Sequence, residues 1–180
     1  MSNTCERIKE LLQRHILVAD AAIGTTLVGA RRDLCPDELN IDARERVVAM
    51  YEASIKAGAR LLRTNTFLAD PLMLKECGAK HSTDEIVGAA LSAIREAGDR
   101  SEKEIFIAGS IGPSTRNISL ATDLSEEELR ASYRTLIEAL AREGVDLFLI
   151  ESITDVRNAE IAAELCREIA PEKPIIHISQ

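Results

Sequence analysis

Apolar and polar positions along this chain alternate on two scales. Nearly continuous apolar runs start near residues 16, 60, 105, 145 and 175, and the stretches between them carry apolar residues at helical spacing. A short apolar run bounded by turn residues suits a strand buried on both faces, as in a parallel sheet. Strands are therefore predicted at Ile16–Ala19, Ala59–Phe67, Ile105–Ile111, Val145–Glu151 and Pro174–Ser179. Helices are predicted at Asn3–Arg14, with Ile8, Leu11 and Leu12 on one side, and at Asp42–Gly58, with Val47, Val48, Tyr51, Ser54 and Ile55 along one face. Pro71 opens a helical region interrupted at Cys77-Gly78, and a longer helix covers Thr83–Ala97. Ser125 and Glu128 make a capping-box pattern ahead of the stripe Leu129, Tyr133, Leu136, Ile137 and Leu140. A last helix is predicted over Asp155–Ala170. Gly29–Ile41, broken by Pro36, and the Ser/Thr-rich Ser114–Leu124 read as loops.

Strands alternating with helices throughout make an α/β chain of parallel (βα) repeats. No linker or low-complexity tract divides it, so residues 1–180 are read as one domain. About five strands fit a doubly wound sheet, whereas a TIM barrel needs eight strands and about 250 residues. A doubly wound domain closes with a helix over its last strand, but this chain ends within the apolar P-I-I-H-I-S-Q. An uncovered apolar edge strand is an aggregation hazard. The expectation is the N-terminal part of a TIM (βα)8 barrel, truncated after the fifth strand.

Composition narrows the possible partners. A formal net charge of −8 argues against nucleic acid and anionic membranes, both of which need a basic face. Aromatics at 3%, with no Trp, argue against base stacking. No apolar run approaches the length of a membrane span, and the amino terminus has no secretory pattern, so a cytoplasmic location is expected. Cys5, Cys35, Cys77 and Cys166 are scattered without C-x-x-C spacing, which suits free thiols acting as small hydrophobes.

The chemistry gathers where strands end. Asp20 closes the first run and is followed by Gly24, Thr25 and Thr26; Glu151 closes the fourth. In a parallel α/β protein these positions line the ligand crevice. A carboxylate beside a turn with free N–H groups could hold both ends of an amino acid. Equally, Asp20 could cap the turn and Gly24 supply a positive φ. His177 reads as a satisfied core histidine rather than a ligand.

Five motifs, in order, resemble one family. D-A-A-I-G-T (Asp20–Thr25), D-E-L-N-I (Asp37–Ile41), A-G-A-R-L-L-R-T-N-T-F (Ala57–Phe67), A-G-S-I-G-P (Ala108–Pro113) and G-V-D-L-F-L-I-E-S-I-T-D (Gly144–Asp155) are similar to homocysteine S-methyltransferase domains. The loop G-P-S-T-R-N-I-S-L most resembles the homocysteine-binding domain of cobalamin-dependent methionine synthases.

The resemblance implies a barrel that binds homocysteine at the carboxyl ends of its strands. A zinc ion would hold the substrate sulfur as a thiolate, which attacks a methyl group carried by methylcobalamin on another domain or chain. A free thiol has a pKa of about 8.5, so a metal is needed to stabilise the thiolate at neutral pH. The implied substrate-binding residues are Asp20 and Glu151 for the ammonium, Gly24 and Thr25 for the carboxylate, and Asn65 and Thr66 lining the same pocket. The ammonium is expected to be the cation that lets Asp20 and Glu151 stand together. For Asn65 an alternative stays open, a side chain tying adjacent strand ends. The family's zinc ligands are three cysteines on the sixth and eighth strands, so no metal ligand is expected within residues 1–180. Ala21 and Arg63 depart from the family pattern. The expected partners are homocysteine, the remaining barrel strands, and cobalamin or folate domains or a second chain. The alternative function is an incomplete half-barrel that binds an amino acid or a partner chain without zinc.

Overall fold

The computed structural model describes residues 4–29, 35–114, 117–120 and 123–178. Thr115 and Arg116 of the G-P-S-T-R-N-I-S-L loop, Asn3 and Ser179 lie outside the described residues.

Four parallel strands form one sheet in the order β1 (Leu61–Arg63), β2 (Phe106–Ile111), β3 (Leu147–Glu151) and β4 (Ile175–Ile178). Each strand pairs with its sequence neighbour, Leu62 opposite Ile107, Gly109 opposite Phe148, and Ile150 opposite His177. The helices are α1 (Thr4–Arg14), α2 (Ile23–Val28), α3 (Leu39–Asp42), α4 (Arg44–Ala57), α5 (Pro71–Cys77), α6 (Thr83–Asp99), α7 (Glu126–Arg142) and α8 (Val156–Ile169).

Period-two alternation along β2 and β3 builds a core on each side of the sheet. Ile107, Ile111, Phe148 and Ile150 face the layer made by α4, α6, α7 and α8, which contribute Tyr51, Leu91, Tyr133 and Leu165. Phe106, Ala108, Leu147 and Leu149 face the other way and pack with Ile8 of α1. A clean hydrophobic-in, polar-out pattern never appears in these strands because both faces are covered.

The helix ends follow the sequence signals. Ser82 with Glu85 and Ser125 with Glu128 form complete capping boxes, Asp70 and Asp155 cap α5 and α8, and Gly58 and Gly78 close α4 and α5 in the left-handed region.

The predicted first strand is corrected. Ile16–Ala19 makes one parallel bridge, Ala19 to Leu61, together with bonds from Asp20 N to Leu61 O and from Arg60 N to Val18 O. It is not buried on both faces: Ile16 is 90% exposed and Val18 50%. Among the described residues the segment pairs on one side only. Gly24 does not supply a positive φ; it lies in the first turn of α2, where the turn was expected. The predicted loop after Gly29 contains a 3-10 turn, Pro36–Glu38, running into α3. Pro36 starts that turn where a missing N–H costs nothing. The second strand is shorter than predicted, Leu61–Arg63; beyond it Thr64 N still donates to Ala108 O of β2, while the side chains of Thr64, Asn65 and Thr66 make bonds of their own. His177 is exposed on β4, not a core histidine.

Candidate functional site

Four segments deliver polar side chains to the carboxyl end of the sheet: the chain after the Ala19 bridge, and the ends of β1, β2 and β3. Arg63, the last residue of β1, sits between the two acids at that end. Its Nε donates to Asp20 Oδ1 at 2.8 Å and its Nη1 to Glu151 Oε2 at 2.8 Å. Its backbone N–H donates to Asp20 Oδ2 at 3.1 Å and its Nη2 to Ala21 O at 2.6 Å. Glu151 takes a second bond on Oε1, from Ser110 Oγ at 2.6 Å. Tyr51, fully buried on α4, donates to Arg63 O at 2.8 Å and fixes the strand end from behind.

The expectation that a substrate ammonium would separate Asp20 and Glu151 is therefore revised. Arg63 already stands there. Burial raises the Asp20 carboxyl above its ordinary range, with the Arg63 bonds pulling it back in part. Burial works against the Arg63 charge too, but its bonds to Asp20 and Glu151 outweigh that and lift its pKa further.

A cavity of about 370 Å³ opens beside this cluster, and its lining includes Gly24, Thr25, Asp37, Arg63, Asn65, Glu151 and Ser152. Of the expected site residues, Gly24, Thr25, Asn65 and Glu151 come together here. Asp20 does not line it, and its side chain, only 1% exposed, reaches the site through Arg63. Thr66 does not line it either. It is fully buried, donates to Ser110 O at 2.8 Å and contacts Thr64 Oγ1 at 2.6 Å. With Ser110 N donating to Thr64 Oγ1 at 2.9 Å, these hydroxyls tie the ends of β1 and β2 together. Asn65 both lines the cavity and makes a tie of another kind. Its amide donates to Pro36 O at 2.8 Å and Asn40 Oδ1 at 3.0 Å, anchoring the 3-10 turn and α3 to the strand end.

Asp37 and Ser152 are among the lining residues that were not singled out from the sequence. Asp37 is 1% exposed and accepts the Leu68 N–H at 2.7 Å; burial pushes its carboxyl up to about 7. Ser152 follows Glu151 with φ 59°, the one positive-φ non-glycine among the described residues. Such strain persists where neighbours impose it, and clusters at functional sites. Asp37 lies inside the quoted D-E-L-N-I motif, whose acid after a proline was the available signal. Ser152 gives none, since serine is common in any turn.

The zinc implied by the resemblance would need a cluster of soft or imidazole donors. Among the described residues no group of three or more His, Cys, Asp or Glu is arranged to hold a metal ion. Burial pushes the Cys35 and Cys166 thiols up to about 12, the reverse of what a metal-bound thiolate needs. The described residues do not fit zinc.

A model of the homocysteine S-methyltransferase family matches residues 17–179. The chain belongs to that family. Among solved structures it is similar to the homocysteine methyltransferase MmuM from Escherichia coli. The oxidised form matches with a TM-score of 0.77 at 21% identity, covering 94% of this chain and 64% of that one. The metallated form gives 0.76 at 20% identity, with 93% and 64% covered. The apo form gives 0.72 at 22% identity, with 96% and 63% covered. The chain thus spans somewhat under two thirds of these structures. The likeness carries the fold: four parallel strands with alternating helices make the first part of a TIM barrel. No described helix is long and apolar enough to cross a membrane.

Proposed function

We propose that this chain forms the homocysteine-binding part of a homocysteine S-methyltransferase, with homocysteine held in the cavity beside Arg63. The observation that carries the reading is the convergence of Gly24 and Thr25, Arg63, Asn65 and Glu151, from separate segments, on one cavity at the carboxyl end of a parallel sheet. That is where open and closed α/β folds bind ligands.

The roles follow from the bonds. Asp20 holds Arg63 through two carboxylate contacts, and Glu151 steadies it from the β3 side. Of the five guanidinium N–H groups, four have acceptors in Asp20, Ala21 and Glu151, leaving the second Nη1 N–H for a ligand carboxylate. The first turn of α2 offers the Gly24 and Thr25 amides on the same cavity, and first-turn amides have no intrahelical acceptor. Zinc and methylcobalamin, which would supply the thiolate and the methyl group, are assigned to donors and domains outside the described residues.

Calorimetric titration of the protein with homocysteine tests the reading. Saturable 1:1 binding that Arg63→Gln weakens is the expected result. Binding of homocysteine that is no tighter than that of an uncharged thiol such as propanethiol sinks it.

A further inference from the structure

We propose that Cys35 and Cys77 form a thiol–disulfide exchange site beside the cavity, where Cys77 takes up a low-molecular-weight disulfide such as oxidised glutathione and Cys35 closes onto it. The site stands apart from homocysteine binding and does not depend on it. Cys35 precedes the 3-10 turn Pro36–Glu38, and Cys77 is the last residue of α5. Their side chains hydrogen-bond to each other. The backbone frames the contact, because Glu38 accepts the Lys80 and His81 N–H groups and so ties the chain just after α5 to the same turn. Cys35 belongs to the same core cluster as Leu74 of α5 and is 7% exposed, whereas Cys77 is exposed. That asymmetry assigns the roles. A solute reaches Cys77, and Cys35 is in place to resolve what forms there.

The exchange balances. Cys77 loses its proton and attacks one sulfur of the small disulfide RSSR. The S–S bond breaks, a mixed disulfide forms on Cys77, and the expelled thiolate takes a proton to give RSH. Cys35 then loses its proton and attacks Cys77 Sγ, which forms the Cys35–Cys77 disulfide and releases a second RSH. The two cysteines give up two electrons, and the small disulfide is reduced to two thiols. Burial raises both thiols, Cys35 to about 12, and the acids facing them, Asp37 on the turn with Asp70 and Glu76 about α5, work in the same direction at Cys77. Little thiolate exists at pH 7, so exchange is slow there and faster in mild alkali.

Closing the disulfide acts on the cavity wall. Pro36 and Asp37, next to Cys35, line the cavity, and Pro36 O accepts the Asn65 amide. A covalent tie to α5 restrains this turn and, with it, the Leu68 N–H bonded to Asp37.

The test incubates the full chain with oxidised glutathione at pH 8.5, blocks the remaining thiols and maps the peptides by mass spectrometry. A Cys35–Cys77 link is expected, with the fully buried Cys166 left free. Cys35→Ser should keep glutathione on Cys77 as a mixed disulfide, and Cys77→Ser should leave Cys35 unmodified. A wild type that leaves both thiols free, or holds glutathione on Cys77 without closing, overturns the proposal. A link that forms only as Cys166 reacts overturns it too, since the chain would then have opened. If Cys35→Ser does not fold, the wild type and Cys77→Ser, changed at an exposed position, decide by the same products. Amide exchange reads the effect on the cavity wall. Leu68 and His81 should exchange several-fold more slowly in the linked chain than in the reduced one, and equal rates overturn the restraint on the turn.

Discussion

Arg63 decides more about this site than any other residue. It enters as the last residue of an L-L-R strand, yet its partners are 43 and 88 positions away. Its side chain is 21% exposed, against 1% for Asp20 and 13% for Glu151, so the pairs are shielded from solvent. Removing one partner of a buried pair costs about 3–5 kcal/mol, because a charge is left uncompensated. Arg63→Met should therefore destabilise by about that amount at pH 7 and by less near pH 4, because burial raises the Asp20 carboxyl and lets it take up a proton there; urea unfolding at the two pH values measures it. Asp37 gives the second prediction. Its folded pKa is raised from 3.8 to about 7, so the native state binds more protons than the unfolded state between those values. Its contribution is then present below about pH 4 and is lost as pH rises through about 7, a change of about 4 kcal/mol at most. Asp37→Asn should flatten that fall relative to wild type in denaturant titrations from pH 4 to 8; an unchanged slope refutes it. Asp20, Glu151 and Asn65 were legible in the sequence because strand ends and motifs mark them. The pairing of Arg63 was not, because no local pattern says which acids a strand-end guanidinium will meet.

Elements were legible where they are long and capped. Each of α4, α6, α7 and α8 runs 14 to 17 residues, with apolar positions that repeat over several turns. The six residues of α2 and the three of the 3-10 turn are too short for any period to emerge. Those short elements carry Gly24, Thr25 and Asp37 to the cavity, so the least legible elements build much of the site. The bend after β3 is similar. Ser152 adopts φ 59° while its N–H donates to Ile178 O at 3.0 Å, so the β4 pairing holds it in a conformation that suits glycine. Left-handed backbone costs a non-glycine residue roughly 1–2 kcal/mol. Ser152→Gly should recover up to about 1 kcal/mol of that, less the added entropy of the unfolded chain, while Ser152→Val should lose stability. Thermal melts of the pair check the order. Equal melting temperatures would show that neighbours, rather than the side chain, set the strain.

At the scale of the whole molecule, the two lateral edges of the sheet differ from its middle. β2 is buried along its whole length, whereas Ile16 and Val18 at one edge are 90% and 50% exposed and Ile178 at the other is 51% exposed. Among the described residues no strand pairs with the outer side of the Ile16–Ala19 segment or of β4. Unpaired backbone beside exposed β-branched residues is a template for another chain, and a parallel barrel removes that hazard by closing. The net charge of −8 opposes association at long range, but salt screens it over roughly 8 Å at physiological ionic strength. The edges should therefore win at moderate salt, and the 180-residue chain should form dimers or larger soluble species at tens of micromolar. Light scattering after size exclusion measures this. Lysine at either edge is a common device against strand pairing, so Val18→Lys combined with Ile178→Lys should shift the population toward monomer without lowering the melting temperature, since both side chains are at least half exposed. A wild-type chain that stays monomeric across the concentration range would show that the edges are protected in solution. The association prediction would then fail at its first step.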